Sequence, residues 1–163
     1  MSNLITDMSL RFDNEAGRFD LQLLSDGSGG LDTDHGLETA VTASLFTDQR
    51  ARDDDELPDG KDRRGFWGDT WPAIPGMKVG SRFWLLNRAI INPETVARVR
   101  EYGTEALQWI VDQGFASSAA FEAVRDRDAG RWVISGRAVI ERPNKPVFER
   151  RYSDIWKWMD NNS

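Results

Sequence analysis

Paired carboxylates are the residues in this chain that come nearest to catalytic chemistry. Hydrolysis of a glycosidic bond needs two acids whose surroundings separate their proton affinities, one to donate a proton and one to act as base or nucleophile. Glu38, Asp48, Asp69 and Glu105 lie near segments with an apolar face and are the candidates. With 27 acidic residues among 163, such pairs also arise by chance, so a lysozyme-like peptidoglycan glycosidase is the alternative reading, not the first. Other chemistries are poorly supplied. Cysteine is absent, which removes thiol nucleophiles, disulfides and thiolate metal sites, and His35 is the single histidine available to a triad or a zinc site. Gly76 and Gly80 lack the lysine and the spacing of a phosphate loop. Asp53-Asp54-Asp55-Glu56, followed by Asp59 and Asp62, has the composition of a calcium loop, but aligning Gly60 with that loop's glycine puts Phe66 where the bidentate glutamate belongs. The run therefore reads as a solvated loop, with weak cation binding between Asp53 and Asp62 left open. No catalytic residue, metal or cofactor is expected.

Recognition is the other chemistry on offer. Arg63-Arg64-Gly65-Phe66-Trp67-Gly68-Asp69-Thr70-Trp71-Pro72 leads into Gly80-Ser81-Arg82-Phe83-Trp84-Leu85-Leu86 and holds three of the seven tryptophans. No helix or strand period explains this mixture. Large rings bury roughly 150–250 Å² each, so ordering the stretch requires a second surface. Arg64, Phe66, Trp67, Asp69, Trp71, Arg82 and Trp84 have the composition of an interface core, where tryptophan and arginine are enriched. They fit equally a clamp between the chain's own helices. Trp156 and Trp158, in the apolar stretch Ile155-Trp156-Lys157-Trp158-Met159, pose the same choice between docking on the domain and anchoring a partner.

The whole-chain properties set the frame. A length of 163 residues suits a single domain spanning residues 1–163. The net charge of −6 disfavours a nucleic-acid partner, and no stretch approaches a membrane span. The basic clusters at Lys61 to Arg64 and at Arg150-Arg151 read as solvated or inter-subunit ion-pairing faces. Met1 to Asp7 carries neither a basic leader nor an apolar core, so synthesis in the cytoplasm is expected.

The elements that must position these residues follow from period and punctuation. Leu10 and Phe12, the turn Asn14-Glu15-Ala16-Gly17 and the alternation Arg18 to Leu23 predict an N-terminal hairpin. Ser25 to Gly30 is a loop. Leu37, Val41, Ser44, Leu45 and Asp48 recur at helical spacing, with Asp32 or Asp34 as N-cap and an end near Arg50 or Arg52. Gly80 to Ile91 reads as a short second helix. Asn92-Pro93-Glu94 is a strong start and Gly114 a stop for a third, about 30 Å long at ~1.5 Å per residue. Gly103 within it costs roughly 1 kcal/mol, either tolerated or repaid by the close approach of another element. Alternation around Phe121, a turn at Asp128-Ala129-Gly130, renewed alternation from Trp132 to Ile140, and Val147 to Tyr152 predict three strands, the last at an edge. The fold class is α+β: an N-terminal β-hairpin, two or three central helices, and a C-terminal antiparallel sheet of about three strands.

Four ordered segments carry a family resemblance. Leu37-Glu38-Thr39-Ala40-Val41 with Ser44-Leu45-Phe46-Thr47-Asp48 and Arg50, then Arg64 to Asp69, then Gly80 to Leu86, then Glu105-Ala106-Leu107-Gln108-Trp109 resemble the Mu-type phage tail baseplate protein family, distant relatives of the lysozyme-like wedge and sheath-initiator subunit of contractile-tail phages. Phe66 and Phe83 stand where tryptophan and leucine are expected. The resemblance implies a structural subunit of a contractile tail baseplate in the virion, present in six-fold copies. It implies wedge, hub, sheath or tube proteins as partners, a part in starting sheath assembly, and no hydrolysis.

Overall fold

The computed structural model describes residues 7–13, 18–24, 34–58, 60–65, 79–155 and 157, with side chains from residue 36 onward within these ranges. The strongest local signal builds the longest helix. Asn92 takes an extended conformation, and its side chain accepts from Thr95 N at 2.8 Å. Pro93 follows at the first helical position, where its missing N–H costs nothing. At the far end Gly114, with φ +78°, turns the chain while Gly114 N donates to Val111 O and Phe115 N to Ile110 O. This paired closure satisfies two carbonyls that the helix itself leaves open. Between these signals Pro93–Asp112 forms an α-helix that buries Val96, Val99, Gly103, Ala106, Leu107 and Ile110 along one face.

In chain order the elements are β1 (Asp7–Asp13), β2 (Arg18–Leu24), α1 (Asp34–Phe46), a single 3-10 turn (Phe83–Leu86), α2 (Pro93–Asp112), β3 (Ser118–Asp128), β4 (Arg131–Glu141) and β5 (Phe148–Tyr152). β1 and β2 pair antiparallel as a two-stranded ribbon. β3, β4 and β5 form an antiparallel sheet in that order. Both helices lie on one face of it. α2 runs along β3, and α1 reaches β5, where the Thr42 hydroxyl and the Tyr152 hydroxyl lie 3.3 Å apart. The result is a two-layer α+β arrangement.

Two expectations for the middle of the chain are corrected. The first helix ends at Phe46, short of Arg50 or Arg52. Ser81 is the reason: its hydroxyl takes Leu45 O, its N–H takes Thr47 O, and its carbonyl accepts from Gln49 N. The chain after Phe46 is thereby drawn into a parallel bridge between Asp48 and Ser81. The second helix, expected from Gly80 to Ile91, is only the one turn of Phe83–Leu86. The last strand begins at Phe148, one residue later than the apolar pattern suggested.

A closed set of four rings joins the layers. Phe46 meets Phe83 at 6.2 Å and Tyr152 at 5.1 Å, and Phe121 meets the same two partners at 5.7 and 6.3 Å. Contacts of this kind contribute about 0.5–1.5 kcal/mol each beyond area burial. Phe121 fits because two glycines make room. A Cβ on Gly103 of α2 would lie 2.4 Å from Phe121 Cδ1, and one on Gly136 of β4 would lie 2.3 Å from Phe121 Cζ. Of the two readings of Gly103, the close approach of another element is the one the structure shows.

α2 also closes part of the sheet's free edge. Thr104 Oγ1 accepts from Phe121 N at 3.0 Å, and Arg100 Nε donates to Ala123 O at 2.7 Å. Beyond Ala123 the β3–β4 hairpin extends past the helix, and every residue from 124 to 132 is exposed. Its tip is a two-residue turn closed by the pair Asp128↔Arg131, with Ala129 at φ +47° and Gly130 at φ +85°. Positive φ at both positions matches the right-handed strand twist, which is why short hairpins favour it.

Gly103→Ala and Gly136→Ala are each expected to destabilise the domain by about 1–3 kcal/mol, because the ring they strike is locked on every side. Chemical denaturation with an unchanged m-value is the check. A second expectation concerns pH. Burial pushes the Tyr152 phenol well above its ordinary range, although its hydrogen bond to Thr42 and the charge of Arg150 oppose this. The folded state holds that proton more tightly than the unfolded chain, so this stability is complete below pH ~10 and declines as pH rises beyond it. An alkaline titration should show Tyr152 ionising together with unfolding, and Tyr152→Phe should remove that coupling.

Candidate functional site

The loop that carries Arg82 is placed by its neighbour. Gly80 has φ +115°, and a Cβ there would lie 2.4 Å from Thr47 O, so only glycine lets the chain pass this closely. Two residues on, Arg82 turns inward and is 4% exposed. Its Nη1 donates to Asp55 Oδ1 at 2.6 Å and its Nη2 to Glu105 Oε2 at 2.7 Å. The guanidinium lies 4.3 Å over the ring of Tyr102. Arg52 closes the group: its N–H donates to Asp55 Oδ2 at 2.7 Å and its Nη2 to Glu105 Oε1 at 2.5 Å. One arginine thus ties the loop after α1 to the middle of α2.

The electrostatics follow from this packing. Burial works to lower the Arg82 pKa, but the hydrogen bond and charge of Glu105, with Asp55 behind them, carry it above its ordinary value. Burial raises the Tyr102 phenol, and the charge of Arg82 opposes that rise. Only a planar, forked cation can donate to two carboxylates while stacking on a ring, which excludes lysine from this role.

A second arginine repeats the device nearby. Arg64 Nη1 donates to Asp48 Oδ2 at 2.8 Å, and its guanidinium lies 4.9 Å over Trp84. Trp84 is 4% exposed and donates from Nε1 to Gln49 O at 2.8 Å. Farther along, Trp109 Nε1 of α2 donates to Ser44 Oγ of α1 at 2.9 Å. Of the recognition candidates, Arg64, Arg82 and Trp84 are therefore brought together and engaged within the chain. Phe66, Trp67, Asp69, Trp71, Trp156 and Trp158 lie outside the residues whose side chains are described, as does His35.

The acids considered for catalysis are distributed differently from a catalytic pair. Glu105 uses both carboxylate oxygens on Arg52 and Arg82, Asp48 accepts from Arg64, and buried Glu38 lies 3.3 Å from Arg150 Nε. Asp69 lies outside the described residues. The acidic run is not wholly solvated as expected: the Asp55 side chain is 9% exposed and held by Arg82. Asp53 and Asp62 accept from Arg63 Nη1 and Arg64 N. Among the described residues no cluster of acids or histidine could hold a metal ion, and no helix is long and apolar enough to cross a membrane.

Two participants escaped the sequence reading. Arg150, expected on a solvated or inter-subunit ion-pairing face, shares the inward parity of Phe148 and Tyr152 on β5 and meets Glu38 beneath α1. The alternation of that strand, applied strictly, carries the signal. Asp55 had none, since nothing local separates it from Asp53 and Asp54.

Fold and site together define a class: a two-layer α+β domain whose central loop is tied to its helices by arginine–carboxylate contacts. The chain belongs to the phage protein GP46 family, matching it over residues 37–146. It is 47% identical over 115 residues to "Baseplate protein gp46" of Escherichia phage Mu, a match covering 70% of this chain and 74% of that one. It is 37% identical over 152 residues to "Mu-like prophage FluMu protein gp46" of Haemophilus influenzae (strain ATCC 51907 / DSM 11121 / KW20 / Rd), covering 93% and 98% of the two chains. This is the Mu-type phage baseplate family that the sequence resembled.

Removing Arg82 would leave Asp55 and Glu105 as uncompensated charges. Arg82→Met is expected to cost about 3–5 kcal/mol, and Arg82→Lys to recover only part of it. Urea midpoints of the two variants, with far-ultraviolet circular dichroism to confirm the fold, provide the measurement.

Proposed function

We propose that this chain is a structural subunit of a phage tail baseplate. The observation that carries this reading is its 47% identity to a protein named as a baseplate component, across a span that includes the Arg82 group. The arrangement of the acids supports it. Glu38, Asp48 and Glu105 each engage an arginine, whereas a glycosidase needs two carboxyl groups facing one substrate. In the fuller form of the proposal the subunit joins wedge proteins around the hub of a contractile tail, in six-fold copies, and helps to start the sheath. It is made in the host cytoplasm and resides in the virion tail. Six-fold repetition would turn modest contacts into a firm ring by avidity.

In this reading the loop from Arg63 to Leu86 acts as an internal clamp along Arg64, Arg82 and Trp84. Phe66, Trp67, Asp69 and Trp71, with Trp156 and Trp158 at the end of the chain, supply clamp or interface surface. The function is tested by deleting the gene and examining the particles formed. Tails lacking baseplates, restored by the wild-type chain and by Glu38→Gln and Glu105→Gln variants alike, are the expected result. Normal tails from the deletion, or purified protein that clears peptidoglycan and loses that activity on either substitution, would overturn the proposal.

A further inference from the structure

Arg64, Arg82 and Trp84 are engaged internally, so the surface that meets a neighbour must be sought elsewhere. The β3–β4 hairpin overhang supplies one. Trp132 is 45% exposed, with the guanidinium of Arg125 3.6 Å and that of Arg127 4.5 Å from its ring. All three share the face of the sheet on which α2 lies, because Arg127 is paired directly with Trp132 and Arg125 stands two residues along the same strand. The helix does not reach them. Among the described residues neither guanidinium has a carboxylate partner. Two of the nearby charges have other engagements: Arg131 pairs with Asp154, and Asp126 accepts from Arg127 N and from the Ser135 hydroxyl.

We propose that Trp132, flanked by Arg125 and Arg127, is the docking site for an acidic segment of a different protein, one with carboxylates placed around an apolar side chain. The inference rests on the baseplate reading and names the surface through which the subunit would join its neighbour. A guanidinium stacked on an indole keeps its N–H edge free for carboxylates, and the ring offers the apolar anchor that dominates interface energetics. A second copy of the chain is a poor occupant, since its net charge of −6 sets like against like. The arginine held by carboxylates on the sheet does not compete for this role. Arg137, on the opposite face, already pairs with Glu122 and Glu149.

The test uses the full chain with the photo-crosslinker p-benzoylphenylalanine at position 132, irradiated within purified tail particles. The expected product is an adduct with another tail protein at a segment rich in aspartate or glutamate. Reversing both charges, Arg125→Glu with Arg127→Glu, should reduce that adduct at least tenfold while the isolated chain stays folded, its melting temperature lowered by no more than about 5 °C through loss of the two ring contacts. Three outcomes overturn the proposal while the baseplate reading stands: the protein is in the particle but forms no adduct, the adduct joins two copies of this chain or nucleic acid, or its yield ignores the charge reversal. Absence of the protein from the particles overturns both.

Discussion

The fold depends on one guanidinium. Arg82 is taken out of water with a full positive charge, a state that is tolerable only because Asp55, Glu105 and the face of Tyr102 surround it. Those partners come from the loop after α1 and from the middle of α2, so satisfying one buried charge sets where three separate segments must lie. The apolar core holds them together once they are there, but rings and methyl groups pack with little regard for direction. Forked hydrogen bonds to two carboxylates do not. In this domain the direction comes from charge and the cohesion from Phe46, Phe83, Phe121 and Tyr152.

How much of this could be read from residue order varies with the range of the interaction. α2 was plain because its signals are local: an asparagine, a proline and a closing glycine act within a few residues of the backbone groups they satisfy. The strands β3 and β4 were plain for the same reason, through alternation and a short turn. The end of α1 was not, since it is set by Ser81, 36 residues away from the Leu45 carbonyl that it takes. Asp55 and Arg82 were each visible as charges, and nothing in their neighbourhoods announced that they would pair across 27 residues. Glycine was a better guide. A helical Gly103 at a cost to the helix raised the close approach of some other element as one of two readings, and the ring of Phe121 is that element.

The segments that carry the family likeness are the ones that bond to one another. Ser44 with Trp109, Asp48 with Arg64, Thr47 with the Ser81 N–H, and Arg82 with Glu105 all lie within them. A pattern assembled from such pairs reports a common framework, because substituting either partner strands the other in a low-dielectric interior. It says less about what the framework holds. Surface groups such as Trp132, 45% exposed on the hairpin overhang, are not part of that framework.

The contact between Thr42 and Tyr152 spans 110 residues. A chain made from its N-terminus therefore carries α1 without its contact to Tyr152 until those 110 further residues have been synthesised. α2, β3 and β4 are consecutive and meet through short connections, so they have every means of assembling among themselves first. The last strand then completes the domain, supplying Tyr152 to the ring cluster and Arg150 to Glu38. In any product truncated before it, the apolar flank of α1 is left without Tyr152.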